Sequence, residues 1–88
     1  ITPSHREPLD RIVRKFAHIT DEEGYLPGAG DLNYLITKLL LYWIGPNPQY
    51  GNLCMARGVL QDVSDEFYRR VVASYEDQKK IENGDVYA

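Results

Sequence analysis

Residues 32–44 read LNYLITKLLLYWI, and the helix that this stretch predicts carries large apolar side chains on almost every side. A helix that is apolar all round has to be enclosed, either by protein or by lipid. The stretch is too short for a bilayer, which needs roughly 20 residues, and Lys38 interrupts it. Because the chain has only 88 residues, we expect further copies of it, or a partner, to supply the missing cover.

A second helix is predicted before this stretch. Its apolar residues recur at helical spacing, whereas charged residues occupy the other side. They are Leu9, Ile12, Val13, Phe16 and Ile19. We place this amphipathic helix at about 6–21. Its start lies between residues 4 and 8, because SHRE at 4–7 matches a capping box whereas Pro8 suits the first helical position. The glycines and proline of 21–30 then predict a flexible link. We expect Gly30 or Asp31 to cap the helix that follows.

A third helix is predicted after Gly45 and Pro46, which end the apolar one. We expect it to start at 48, with Asn47 as N-cap and Pro48 in the first helical position. We expect it to end at 82, because Asn83-Gly84 follows. Its length is roughly 50 Å, although a domain of this size has a diameter near 30 Å. Either helices 6–21 and 31–44 line up along it, or they cover half and leave the rest for another protomer.

The predicted fold is therefore a single all-α domain, 1–88, with helices at about 6–21, 31–44 and 48–82. We expect a helical bundle completed by homo-oligomerisation, with a dimer as the smallest form. The predicted interface residues are the apolar ones of the central helix, Leu35, Leu39, Leu40, Tyr42 and Trp43. The alternative is a bend at Gly58, with Gly51 a second weak point, that would give a compact four-helix monomer.

Composition excludes several classes of function. The net charge is −3 and the pI is near 5.2, which disfavours a protein that coats a nucleic-acid polymer. Neither a signal peptide nor a membrane-spanning run is visible, so we expect a cytoplasmic protein without membrane contact. The single Cys54 predicts a buried small apolar group. His5 and His18 have no ligand spacing, and we expect no metal and no cofactor.

Catalytic motifs are equally scarce. Phosphate-cradling glycine loops and the serine-nucleophile elbow are absent from the sequence. Asp62 and Asp65 could serve a helical nucleotide hydrolase, but such enzymes carry two acidic motifs on facing helices. Ordinary ion pairs four residues apart are the simpler interpretation of the acidic side chains. These pairs are Asp65–Arg69, Glu66–Arg70 and Glu76–Lys80. We expect a protein that is not an enzyme.

Tyrosine is unusually frequent, with seven in the chain. Tyr68, Val72 and Tyr75 share one face of a regular helix, and Arg69 and Arg70 flank it. Rings beside guanidinium groups can hold a base and a phosphate. The alternative is that these rings belong to the core or to a subunit interface.

The C-terminal residues also allow two interpretations. Gly84 can close the third helix, with Val86 or Tyr87 folding back as the apolar contact of a Schellman-type cap. The tail can instead dock and close a pocket, either on its own chain or in a neighbour's groove.

Three stretches together resemble a family of small proteins of unknown function from tailed phages, prophages and environmental microbes. They are GDLNYLIT at 30–37, YRRVVASYED at 68–77 and ENGDVY at 82–87. The resemblance covers roughly 1–87 and implies the cytoplasm of an infected bacterium. Small phage proteins without catalytic motifs are often structural adaptors or antagonists of host defence. The family-like polar and aromatic positions are Asn33, Tyr34, Arg69, Arg70, Tyr75, Asn83, Asp85 and Tyr87, and with Tyr68 they form our predicted ligand-binding set.

Two functions follow as expectations. The first is a phage-encoded oligomer that sequesters a nucleotide-derived signal of host immunity in pockets between protomers. The second is a structural or adaptor module that binds another protein through its exposed helices. The partners expected for the first function are further copies of the chain and a small nucleotide.

Overall fold

The computed structural model describes residues 1–87. All regular elements among them are helical, and none is a strand. The elements are α1 (Pro3–Asp21), α2 (Ala29–Ile44), α3 (Tyr50–Phe67), a π-helical turn (Tyr68–Val72) and α4 (Ala73–Asn83). The last three run on as one helix of 34 residues, called the long helix below. The three predicted helices are therefore confirmed. Residues 1–39 and 40–87 form two compact units, and each is described by itself.

In the first unit, α1 begins at Pro3, three residues before its predicted start. Thr2 is the N-cap residue and is extended, with φ −75° and ψ 156°. Pro3 takes the first helical position, where its missing N–H costs nothing, so Pro8 lies inside the helix instead of starting it. The apolar side of α1 borders a groove of about 460 Å³. Its apolar lining is Pro8, Ile12, Phe16, Ile19 and Leu35.

The link between α1 and α2 is tied down by Asp31. Its carboxylate accepts a hydrogen bond from the Gly28 backbone N–H, at 2.8 Å, and another from the Tyr25 hydroxyl. Gly28 immediately precedes α2, and its carbonyl accepts the Leu32 N–H at 3.1 Å. Asp31 is thus the third residue of the helix that reaches back to the capping residue, as in a capping box. The predicted cap residue was wrong, because α2 begins at Ala29. Both hydrogen bonds lower the pKa of Asp31.

We expect acid to undo this link. Because the folded pKa of Asp31 lies below its ordinary value, the stabilisation is present above that value and is lost as the pH falls through the folded pKa. Hydrogen exchange followed by NMR should show protection of the Gly28 amide near neutral pH that Asp31→Ala removes. Tyr25→Phe is the matched control, since it keeps the Gly28 bond. Equal protection in wild type and Asp31→Ala would contradict the assignment.

In the second unit, α2 ends as predicted and the long helix starts late. Gly45 has φ +76° and its N–H donates to the Leu41 carbonyl, at 3.2 Å. Such a φ favours glycine after a helix. The long helix then starts at Tyr50, with Gln49 extended at φ −96° as its N-cap residue. Asn47 and Pro48 were wrong as cap and first residue; Pro48 lies in the approach, where its fixed φ also fits.

The long helix is unbroken at both glycines. Gly51 and Gly58 lie within α3, and neither has a positive φ. The four-helix alternative, in which the helix divides at Gly58, is therefore wrong. The irregularity occurs further on, where the Ala73 N–H donates to the carbonyl of Tyr68, five residues back. That pattern defines a π-helical turn, which contains one residue more than the α-helical turn it replaces.

Residues 1–87 include no buried side chain at all. In α2, Leu39, Leu41 and Trp43 are half exposed, and Tyr42 is 90% exposed. Cys54, which the sequence predicts to be buried, is exposed as well. His5 and His18 are exposed too. Completion of a bundle by further copies remains a prediction, and these uncovered residues are its basis.

Truncation of Trp43 tests that prediction. The side chain is 57% exposed in one chain, so Trp43→Ala should cost little if the chain works alone. If a second copy covers it, the substitution should lower the free energy of unfolding by about 3 to 5 kcal/mol. The oligomer should then dissociate as it unfolds. Light scattering and chemical denaturation at several concentrations give both quantities.

Leu26→Ala is the control, because Leu26 is 86% exposed outside the helices. A wild-type particle of 10.1 kDa at micromolar concentration would contradict homo-oligomerisation.

Candidate functional site

The π-helical turn carries the predicted arginine pair, and one carboxylate holds both. Glu66 accepts the Arg69 Nη2 at 2.8 Å and the Arg70 Nε at 2.9 Å. These two bonds lower the pKa of Glu66, Arg69 being the larger cause. Two guanidinium groups against one carboxylate leave one positive charge on this exposed surface. Because the side chains are more than half exposed, the pairs add little to stability.

The π-helical turn also changes which residues share the face of Tyr68. One extra residue in the turn rotates everything beyond it by roughly 100°. The Tyr68 hydroxyl consequently donates to Glu76 Oε2, eight residues on, at 3.1 Å. The predicted common face of Tyr68 and Tyr75 is wrong, because it assumed a regular helix. In the structure the two rings are roughly 120° apart around the axis.

A shallow groove of about 380 Å³ lies between the last turns of α4 and the C-terminal tail. Four predicted site residues border it, namely Tyr75, Asn83, Asp85 and Tyr87. The backbone turns away at Gly84, whose φ is +84° and ψ 156°. That ψ is extended, so the expected Schellman-type cap does not form. Val86 and Tyr87 are 92% and 96% exposed and make no cap contact, whereas the Tyr87 N–H donates to Asp85 Oδ1 at 2.9 Å.

Two lysines give this groove its positive groups. Lys79 Nζ lies 5.5 Å from the centre of the Tyr75 ring and 3.0 Å from Glu82. Lys80 Nζ lies 3.2 Å from Asp77, which raises the pKa of Lys80. Glu76 and Asp85 also line the groove, so its charges balance. The groove offers an aromatic ring, ammonium groups and an amide, which suit a flat polar ligand better than a highly charged anion.

Asn33 and Tyr34 belong to the first unit and are described by themselves. The Asn33 carbonyl accepts the Thr37 hydroxyl at 2.8 Å. The Tyr34 ring lies 5.9 Å from Lys38 Nζ and is 66% exposed. Both are surface residues of α2, and their part in a site remains a prediction. The same holds for the predicted interface residues, of which Leu35 and Leu40 are the less exposed.

Sequence reasoning missed the acidic partners of the site. Of the three predicted ion pairs, Glu66–Arg70 is confirmed. Asp65 instead accepts Gln61 Nε2 at 2.9 Å, and Lys80 pairs with Asp77. Glu76 is engaged by Tyr68. The π-helical turn accounts for the contact of Tyr68 with Glu76, which spans it. It does not account for the missing Glu76–Lys80 pair, since both residues lie in α4.

Two further observations concern membranes and metals. No helix among residues 1–87 is long and apolar enough to cross a membrane. Within the same residues, no three His, Cys, Asp or Glu side chains are grouped so that they could hold a metal ion.

The family follows from comparison with known proteins. The small all-helical chain, with its arginine-bearing π-helical turn and open C-terminal groove, matches a domain of unknown function, DUF6899, over residues 1–86. The chain belongs to this family. It matches no curated protein and no solved structure.

The contact between Tyr68 and Glu76 can be measured. Hydrogen bonding to the carboxylate raises the pKa of the Tyr68 hydroxyl, because ionisation would place two negative charges together. We expect Glu76→Gln to lower that pKa towards the ordinary tyrosine value. A titration of tyrosine ring carbons by NMR reads it out. Glu82→Gln is the control, and the same shift in both variants would contradict the contact.

Proposed function

We propose that the protein is a non-catalytic oligomer that sequesters a small nucleotide-derived signal of host immunity, on behalf of a phage. The observation that carries the proposal is the surface of the π-helical turn. There Arg69 and Arg70 share one carboxylate beside the Tyr68 ring, at 2.8 and 2.9 Å from Glu66. A guanidinium fork pairs with phosphate and an aromatic ring stacks on a base, so both parts of a nucleotide have a partner.

The degree of enclosure supports binding between copies of the chain. A pocket for a small molecule normally encloses most of its ligand. The C-terminal groove is open, and Tyr87 at its edge is 96% exposed. A second copy laid against this side would add the missing wall, which is how an 88-residue chain could surround a ligand.

The identity of the residues also supports the proposal. The three family-like stretches include Tyr68, Arg69, Arg70, Tyr75 and Asp85, and these residues lie on the π-helical turn or at the groove. Packing within one chain does not explain them, since each is exposed there. Their exposure leaves the polar groups accessible to a ligand.

Calorimetry against cyclic nucleotides and ADP-ribose derivatives tests the proposal. We expect binding of at least one, recovery of that ligand unchanged by mass spectrometry, and a tenfold or greater loss of affinity in Arg70→Ala. Arg57→Ala is the control, since it removes an arginine of α3 that lies before the π-helical turn. No binding by any member of the panel would overturn the proposal, and conversion of the ligand would make the protein an enzyme.

The charge balance at Glu66 gives a prediction of opposite sign. Glu66→Gln removes the carboxylate that both guanidinium groups contact, so an anionic ligand meets two unpaired positive charges. We expect tighter nucleotide binding at low salt, and the gain should shrink as salt screens the surface. Weaker binding in this variant would contradict a role of the arginine pair in phosphate contact.

A structural or adaptor module is the second candidate, and the exposed apolar surface favours it. Leu39, Leu41 and Trp43 of α2 are half exposed, and such a surface suits a protein partner as well as another copy. Recovery of one host or phage protein with the purified chain, lost in Trp43→Ala and unaffected by Arg70→Ala, would favour this candidate over ligand binding.

A further inference from the structure

An apolar stripe on the long helix follows the spacing of a coiled coil. Leu53, Ala56, Leu60, Val63 and Phe67 are separated by three, four, three and four residues. This alternation averages 3.5 residues and is the a/d pattern through which two helices pack side by side. All lie in α3, within one unbroken helix.

The stripe should leave its face after Phe67, but the π-helical turn prevents this. The next apolar residues are Val71 and Tyr75, each four residues further on, where the pattern requires three and then four. In a regular α-helix two successive steps of four would turn the stripe by about 80°. The π-helical turn at Tyr68–Val72 takes up the one surplus residue, as the hydrogen bond from the Ala73 N–H to the Tyr68 carbonyl requires. Val71 and Tyr75 therefore return to the d and a positions.

Nothing among the described residues covers the stripe. Leu53 and Leu60 are 40% exposed, and Val63 is 62% exposed. Phe67, Val71 and Tyr75 are also more than half exposed. Together these side chains present on the order of 500 Å² of apolar surface. Two copies would then bury about 1,000 Å², which is the lower bound for a specific interface.

We propose that the long helix of a second copy packs on this stripe, and that the π-helical turn keeps the stripe in register along the interface. The occupant is a second copy because a complementary a/d stripe of matching length is needed, and the chain itself carries one. The proposal deepens the proposed function by placing the contact between copies. Because Tyr75 ends the stripe and lines the C-terminal groove, the second copy lies next to that groove.

Two deletions test the register. Deletion of Arg70 shortens the spacing from Phe67 to Val71 from four residues to three, as the a/d pattern requires. A regular helix can then form, and the oligomer should keep its mass. Deletion of Gln61 brings Leu60 and Val63 to a spacing of two and breaks the stripe. We expect that variant to have the 10.1 kDa mass of one chain by light scattering. Full mass in both variants, or loss of mass in the Arg70 deletion alone, would overturn the proposal.

A pair of substitutions tests the face without altering the backbone. Val63→Asp places a charge in the stripe. Met55→Asp places one outside it, roughly 120° around α3 from the middle of the stripe, where Met55 is 55% exposed. We expect self-association to be at least tenfold weaker in Val63→Asp and unchanged in Met55→Asp. Circular dichroism at high concentration confirms that both remain helical. An oligomer that is insensitive to Val63→Asp, or equally sensitive to Met55→Asp, overturns the proposal.

Failure of this proposal is distinguishable from failure of the proposed function. Nucleotide binding is measured on the wild-type protein, whose assembly is intact whichever surface carries it. Wild type that binds a nucleotide while Val63→Asp keeps full mass removes the long-helix interface only. Wild type that binds nothing while Val63→Asp dissociates removes nucleotide sequestration only.

Discussion

The exposed apolar surface is the constraint on which the rest of this protein depends. Residues 1–87 contain no buried side chain, although burial of apolar surface is the main force that stabilises a folded chain. Helices as long as these are held mainly by packing of their apolar faces, and intrinsic propensity contributes less. A partner surface would supply the burial that these residues lack in a single chain. The proposed assembly of copies would therefore tie stability to assembly, which is why interface and function are considered together.

The π-helical turn is the second organising feature, and three properties meet in it. It turns Tyr68 away from Tyr75 and towards Glu76, at 3.1 Å. It displays Arg69 and Arg70 around Glu66. It also returns Val71 and Tyr75 to the apolar stripe that begins at Leu53. A single surplus residue thus separates a polar, arginine-bearing side of the long helix from an apolar side. Such turns are rare and often lie at functional sites.

Local interactions explain which parts of the fold were predictable. Apolar spacing identified all three helices, and Gly45 correctly ended α2 because a positive φ there favours glycine. Helix starts were less certain. Several residues could cap each helix, and the choice depends on contacts such as Asp31 to Gly28 and Tyr25. Those contacts join residues three to six apart across a link whose path the sequence did not define.

The candidate site was predictable in its members but not in their arrangement. Tyr75, Asn83, Asp85 and Tyr87 border one groove as a group. However, the partnership of Tyr68 with Glu76 depends on the helix geometry between them. No residue type in YRRVV is specific to a π-helical turn. The only signal in the sequence is the surplus residue in the apolar spacing from Phe67 through Val71 to Tyr75.

The sequence by itself determined that the chain is all-helical, that α2 is apolar all round and that the long helix exceeds the size of a compact domain. These follow from periodicity and from the number of residues, which are properties of the chain alone. Only the three-dimensional structure decided that Gly58 leaves the long helix unbroken and that the surplus residue is accommodated at Tyr68–Val72. The physical reason is that the free energy of accommodating an extra residue differs little between neighbouring turns. Its place therefore depends on the hydrogen bonds and contacts of the folded helix.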